Sequence, residues 1–256
     1  MYKFRLLMVI ILLCLWVKTT IASESPFSMH EDNYFIAGQD DAKFKVSAEY
    51  NIFYPFKSGL MVAYTEEAFW NIYNKSGPFA EYVHNPEIFY RLDEKNNIFG
   101  NSDLSIIDYI TAGFYEHKSN GRDEDYSRGM DTYYGEIQSS IGSTYNAGLR
   151  IKVFKYYHLS AKNLDLPDYK GFGEGEVFFK IKNAENNLTL YKFYVKGGGN
   201  PDSRNGWFET GMIGTILTGY IQPKLYLSYY SGYMSTLISY KEKEDVMRFG
   251  LIFVSD

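Results

Sequence analysis

Hydrophobic and polar residues alternate with a period of two over much of the chain. In "AKFKVSAEYNIF", residues 42–53, Phe44, Val46, Ala48, Tyr50 and Ile52 share one face while Lys45, Ser47, Glu49 and Asn51 share the other. That is the repeat of a β-strand and not of a helix. "EVFFKIKN" sets Val177, Phe179 and Ile181 against Phe178, Lys180 and Lys182, and "NLTLYKFYVK" sets Tyr191, Phe193 and Val195 against Lys192, Tyr194 and Lys196. "AENN" between them makes the pair a hairpin. The same alternation predicts strands near 58–72, 86–94, 104–118, 130–140, 145–159, 207–221, 223–232, 235–243 and 246–254. About a dozen strands, at roughly ten residues per strand plus a turn, have the spacing of a membrane barrel.

Alternation alone fits two architectures. A soluble sandwich or lipocalin-like barrel buries its apolar face, whereas a membrane barrel turns that face to lipid and encloses the polar one. The polar faces here carry lysines and glutamates suited to an internal ion-pair network. The start, "MYKFRLLMVIILLCLW" followed by "TIA", reads as a secretory signal peptide over residues 1–22, cut after Ala22. Residues 23–41 then read as an N-terminal extension and 42–256 as the barrel. Cys14, inside that leader, is the single cysteine, so stability must come from a large core or a closed sheet and not from disulfides. Aromatic residues make up 18% of the chain, 25 of them tyrosine, which suits a surface meeting both lipid and water. The expected fold is an all-β, antiparallel transmembrane β-barrel of about 12 strands. The net charge of −5, more acidic once Lys3, Arg5 and Lys18 leave with the leader, argues against nucleic acid as a partner.

Candidate chemistry centres on "GFYEHKSNGRDEDYSRGMDTYY". Asn120-Gly121 is a strand-reversal signal in its own right. His117 and Ser119, however, stand two apart on the outgoing strand, on one face and about 7 Å from each other, and Asp131 follows on the return strand. An imidazole that accepts the serine proton makes the hydroxyl a nucleophile, and a third group holds the imidazole in one tautomer. The spacing permits a Ser-His-Asp triad within one hairpin. It equally suits an ordinary turn in which Ser, Asn and Gly serve the backbone.

"EHKSNGRDEDYSRGMDTYY" resembles the active-site signature of the outer membrane phospholipase A family. "AYTEEAFWNIYNKSGPFAEYVHNPEIFYR", residues 63–91, is similar to the segment that precedes the signature, and "YSGYMSTLISY", residues 230–240, to the penultimate hairpin. The resemblance implies a twelve-stranded barrel in a Gram-negative outer membrane, integral, with catalytic groups on its outer wall facing the outer leaflet. It implies a phospholipase A that hydrolyses acyl esters of membrane phospholipids, with A1, A2 and lysophospholipase activity. Ser119 matches the nucleophile, His117 the general base, Asp131 the third member, and the Gly121 N–H an oxyanion donor. It further implies calcium (Ca2+), held by the Arg122 carbonyl, the Ser127 hydroxyl and Ser76 of the partner subunit, in a reversible homodimer.

Three positions depart from the pattern. Asp131 stands where the family usually has asparagine, Glu66 where it tends to have a glutamine at the dimer interface, and Lys118 where an acid is common; Lys118 is expected to attract anionic headgroups. Asp123, Glu124 and Asp125 read as a solvated loop. His30, His84 and His158 lack metal spacing and read as interfacial or loop residues. "GGGN", residues 197–200, reads as a flexible loop, and the glycosylation-type triplet at Asn187 as incidental. The competing functions are a non-enzymatic outer membrane barrel (porin, adhesin or scaffold) and a barrel hydrolase acting on lipopolysaccharide acyl chains.

Overall fold

The structure is a computed structural model that describes residues 25–56, 58–93, 106–181, 190–215 and 223–255. The expected signal peptide with Cys14, the "AENN" turn and the triplet at Asn187 lie outside them.

Every neighbouring pair of strands is antiparallel. In chain order the strands are β1 (Phe27–Ser28), β2 (Asn33–Ala37), β3 (Ala42–Asn51), β4 (Gly59–Trp70), β5 (Phe79–Asp93), β6 (Ile107–Ser119), β7 (Gly129–Ile141) and β8 (Tyr145–Leu159). A helical turn, α1 (Pro167–Lys170), precedes β9 (Gly173–Ile181), β10 (Leu190–Asn200), β11 (Asn205–Thr215), β12 (Lys224–Gly232) and β13 (Glu244–Phe253). Each of β3–β13 pairs with its neighbours in sequence, and β2 pairs with both β3 and β13, closing a barrel of 12 strands among the described residues.

The first strand lies inside the segment expected to be an extension. It is broken: β1 pairs with Glu49 and Tyr50, β2 with residues 42–45, and residues 29–32 bow out of the ladder between them. In that break His30 reaches Glu49 at 2.9 Å and Glu87 at 3.2 Å, while Glu31 meets Lys45 at 2.6 Å. Consecutive polar side chains turned to one side erase the period of two, which hides this strand in the sequence. Residues 235–243, expected as a strand, form instead a loop between β12 and β13. Their apolar residues fill a small core over one end of the barrel, where Leu237 and Tyr240 pack with Phe69, Val83, Met130 and Leu166. Residues 197–200 also differ from expectation. They end β10, all four paired with β11 and the first two also with β9, and a Cβ on Gly199 would lie 2.5 Å from the Asn205 carbonyl, so glycine here serves close backbone approach.

The two faces of the wall are inverted relative to a soluble barrel. Val62, Ile88, Ile110, Ile137, Ile151, Val177, Val195, Phe249 and Leu251 are exposed on the outside. Inside, Lys152–Glu116, Lys192–Glu176, Lys43–Glu67 and Arg91–Glu49 pair at 2.7–3.2 Å. Arg248 forks onto Asp41 with contacts of 2.9 and 2.7 Å. A water-filled environment would reject that exterior over so large an area, whereas a bilayer matches it. The chain therefore reads as spanning a membrane with its ion pairs in the lumen.

Candidate active site

The signature hairpin is β6–β7, joined at one rim by residues 120–128 with a single 3-10 turn, Glu124–Tyr126. The reversal is wider than the two-residue turn that Asn120-Gly121 suggests, and Asn120 holds it together from within. Its side chain accepts the Arg128 N–H at 3.0 Å and donates to the Tyr126 carbonyl at 2.8 Å and to Glu81 Oε1 at 3.1 Å. Its backbone N–H donates to the Arg128 carbonyl at 3.0 Å. Gly121 adopts φ +60°, and a Cβ there would lie 3.3 Å from the His84 ring.

Which way His117 and Ser119 point depends on a bulge. Thr111 faces the lumen, and strict alternation from it would turn His117 and Ser119 inward as well. The pairing of β6 with β7 slips between Gly113 and Glu116, and that with β5 slips opposite Ile88 and Phe89. One extra residue exchanges the faces. Glu116 then enters the lumen, where it accepts the Thr132 hydroxyl at 2.6 Å, and His117 and Ser119 come to the outer wall. Lys118 consequently lines the lumen among Glu31, Glu67 and Glu116, so it does not meet headgroups on the exterior.

Asp131 stands directly across from His117 on β7. His117 Nδ1 and Asp131 Oδ1 are 2.5 Å apart, with side chains 36% and 15% exposed, so the carboxylate fixes Nδ1 as the protonated nitrogen. Tyr115 stacks on the His117 ring, 6.2 Å between centroids at 5°. Ser119 Oγ accepts the Gly121 N–H at 3.4 Å, which aims that donor at the hydroxyl. No hydrogen bond joins Ser119 to His117 in this arrangement; bonds of this kind commonly tighten only when substrate is bound.

Two histidines that sequence reasoning set aside flank this group. His158 Nδ1 lies 3.3 Å from Asp131 Oδ2, brought outward by a second register slip next to Asp131. His84 on β5 is the cross-strand partner of Ser119. Its Nδ1 is 2.8 Å from the Tyr64 hydroxyl and 3.7 Å from Glu66 Oε2.

The expected calcium ligands share the rim. Ser127 Oγ and Ser160 Oγ are 3.5 Å apart, and Arg122, Asp123, Glu124 and Ser76 are exposed in neighbouring turns. Asp125 is taken up by Lys162 at 2.5 Å. Hydroxyl, carbonyl and carboxylate oxygens are the donors that calcium favours, so the residues present fit the ion.

The model of the family described as "Phospholipase A1" matches residues 2–253. The chain belongs to that family. It is 27% identical to "Putative phospholipase A1" of Neisseria meningitidis serogroup B over 77% of this chain and 49% of that protein, and 25% identical to phospholipase A1 of Escherichia coli over 80% and 66%. The chain thus spans about half to two thirds of the length of these curated relatives. The fold matches that of outer membrane phospholipase A from Escherichia coli, with a TM-score of 0.73 at 19% identity over 92% of this chain and 95% of that one. It also matches the Salmonella typhi outer membrane phospholipase dimer with bound calcium, with a TM-score of 0.73 at 20% identity over 90% and 92%.

Proposed function

We propose that the protein is a calcium-dependent outer membrane phospholipase A that hydrolyses acyl esters of glycerophospholipids through an acyl-enzyme on Ser119. The observation that carries this reading is the His117–Asp131 pair standing beside Ser119 on the outer wall, where an ester in the bilayer can reach it. A charged lumen crossed by ion pairs disfavours the porin alternative.

Ser119 Oγ attacks the ester carbonyl carbon as His117 Nε2 takes the hydroxyl proton. Asp131 holds the Nδ1–H and balances the imidazolium that results. The Gly121 N–H faces the oxygen that gains charge. Collapse breaks the acyl C–O bond, and His117 returns the proton to the departing lysophospholipid oxygen. Water, deprotonated by His117, then releases the fatty acid and restores Ser119. Calcium, held by the Arg122 carbonyl, the Ser127 hydroxyl and Ser76 of the partner subunit, would supply positive charge beside the developing oxyanion.

Integral placement in an outer membrane is supported by the apolar exterior and by the outer membrane relatives, and a site facing the outer leaflet of a Gram-negative cell is part of the same proposal. A reversible homodimer is part of the proposal, and the calcium-bound dimer of the Salmonella typhi relative supports the dimer. Activity at either acyl position, A1 or A2, and on lysophospholipids is part of the same reading, because the site is an open wall and not a closed pocket.

Acyl release from phosphatidylethanolamine micelles, with and without a chelator and with Ser119→Ala, tests the reading. Release should vanish in the variant and fall on chelation. Release that survives Ser119→Ala excludes the nucleophile, and indifference to chelation removes calcium.

A further inference from the structure

His84 belongs to no part of the mechanism above, yet it lies against Ser119. Glu66, His84 and Ser119 occupy successive positions across β4, β5 and β6. Tyr64, Glu66 and His84 all lie on the outer face. The Tyr64 hydroxyl donates its one proton to Glu66 Oε2 at 3.2 Å, so its oxygen accepts from His84 Nδ1 at 2.8 Å. That fixes the ring end for end, with Nδ1 toward the Tyr64–Glu66 pair and Nε2 toward Gly121, 3.3 Å from where a Cβ on that residue would sit.

Ser119 is therefore bracketed by two imidazoles, each anchored at Nδ1. A serine needs one base, and His117, bonded directly to a carboxylate, fills that role. His84 has the complementary equipment. With a carboxylate 3.7 Å behind Nδ1, the ring, when protonated, presents an Nε2–H donor toward the space beside Gly121. In a glycerophospholipid the phosphodiester is a few bonds from the ester carbonyl, so a carbonyl at Ser119 brings an anionic group close by on one side or the other. On the β7–β8 side the Asp131 carboxylate already occupies both neighbouring imidazoles, His117 and His158, at Nδ1. On the β5 side the carboxylate of Glu66 stands behind the ring and Nε2 stands in front.

We propose that His84 is a specificity-determining residue that binds the phosphodiester of the lipid substrate through Nε2, oriented by Tyr64 and Glu66. The inference rests on the phospholipase reading above and deepens it by assigning the group that recognises phosphate.

The test compares full-length protein and its His84→Phe and His84→Gln variants on three substrates with the same acyl chains in one non-ionic detergent: phosphatidylethanolamine, phosphatidylglycerol and diacylglycerol. The readout is the ratio of kcat/KM for each phospholipid to that for diacylglycerol, which lacks the phosphate. His84→Phe should lower this ratio about tenfold, mainly through KM, the size expected for loss of a charge-assisted hydrogen bond. The fall should be alike for both headgroups, because the shared group is the phosphodiester, and smaller for His84→Gln. The ratio also corrects for any loss of folded protein. An unchanged ratio in both variants overturns the inference, as does a proportionate fall in kcat on all three substrates, which would make His84 a second base or a scaffold. A fall with phosphatidylethanolamine alone overturns it in favour of headgroup recognition. Wild-type protein that releases no fatty acid from any substrate defeats the phospholipase reading as well, whereas active wild type with an unmoved ratio defeats this inference alone.

Discussion

Asp131 is shared between two imidazoles, with Oδ2 3.3 Å from His158 Nδ1 while Oδ1 holds His117 at 2.5 Å. A carboxylate at the edge of a bilayer is costly to ionise alone, and two flanking histidines offset that cost. The same arrangement would orient an amide, with its oxygen toward the His117 Nδ1–H and its nitrogen toward His158 Nδ1. Asp131→Asn should therefore keep kcat within about tenfold of wild type, while Asp131→Ala loses about a hundredfold, within the range of a triad lacking its orienting member. Adding His158→Ala should harm Asp131→Asn more than it harms wild type. Equal loss in the amide and alanine variants would mean that the charge itself is required.

Glu81, wholly buried at the start of β5, ties the catalytic loop to the loop before β13. One oxygen accepts from Asn120 and the other from the Leu237 N–H at 2.8 Å. Glu81→Ala leaves buried donors without acceptors, which costs about 1–3 kcal/mol each, and frees the Asn120 turn that carries Gly121. Thermal unfolding in detergent should come at a lower temperature, with kcat falling more than KM rises. Glu81→Gln keeps one acceptor and should lie between the two. A variant with wild-type kcat would separate this clamp from catalysis.

Much of the barrel and half of the site are legible in the sequence, for a physical reason: alternation reports local conformation, and register does not. Lys45, Ser47 and Glu49 are lumenal because every second residue of β3 must be. His117 and Asp131 are recoverable because they lie on one hairpin. Their outward direction is not, because it depends on the slip between Gly113 and Glu116. His84 and His158 escape notice since each lies outside the β6–β7 hairpin and joins the site only through the register of the strand next to it. The missed strand Asn33–Ala37 and the false strand at 235–243 have opposite causes. In the first, a break at 29–32 puts charged groups where alternation would not; in the second, apolar residues serve a loop core.

The rim loops carry their own acid-sensitive tie. Asp165 accepts the Tyr240 hydroxyl at 2.5 Å and pairs with Lys241 at 2.6 Å. Partial burial pushes the Asp165 carboxyl up, but the bonds from Lys241 and Tyr240 outweigh it and hold the group below its usual range. A depressed folded value stabilises the protein above the unfolded carboxylate value, about 3.9, and that contribution is lost as pH falls through the folded value. The pair is solvent-exposed, so its share is under about 1 kcal/mol. Asp165→Asn should unfold at a slightly lower temperature near neutrality, and the gap should close as pH falls below about 4. A gap that persists in acid would point to packing of Tyr240 as the cause.

The direction in which the barrel faces its surroundings can be probed at Val177, in the middle of β9 and 62% exposed. On a protein surrounded by water, arginine there would change stability by no more than a few tenths of a kcal/mol, in line with other surface substitutions. On a wall surrounded by hydrocarbon, the charge must be buried in lipid or reach for the interface. That costs about 2–4 kcal/mol at mid-depth and near zero at the rim. Val177→Arg should therefore lower stability in phospholipid vesicles by that amount. Tyr126→Arg, in the exposed turn beside the site, should leave it unchanged. Equal tolerance at both positions would mean that the outward apolar belt does not face lipid. Ser119 would then have no bilayer ester within reach.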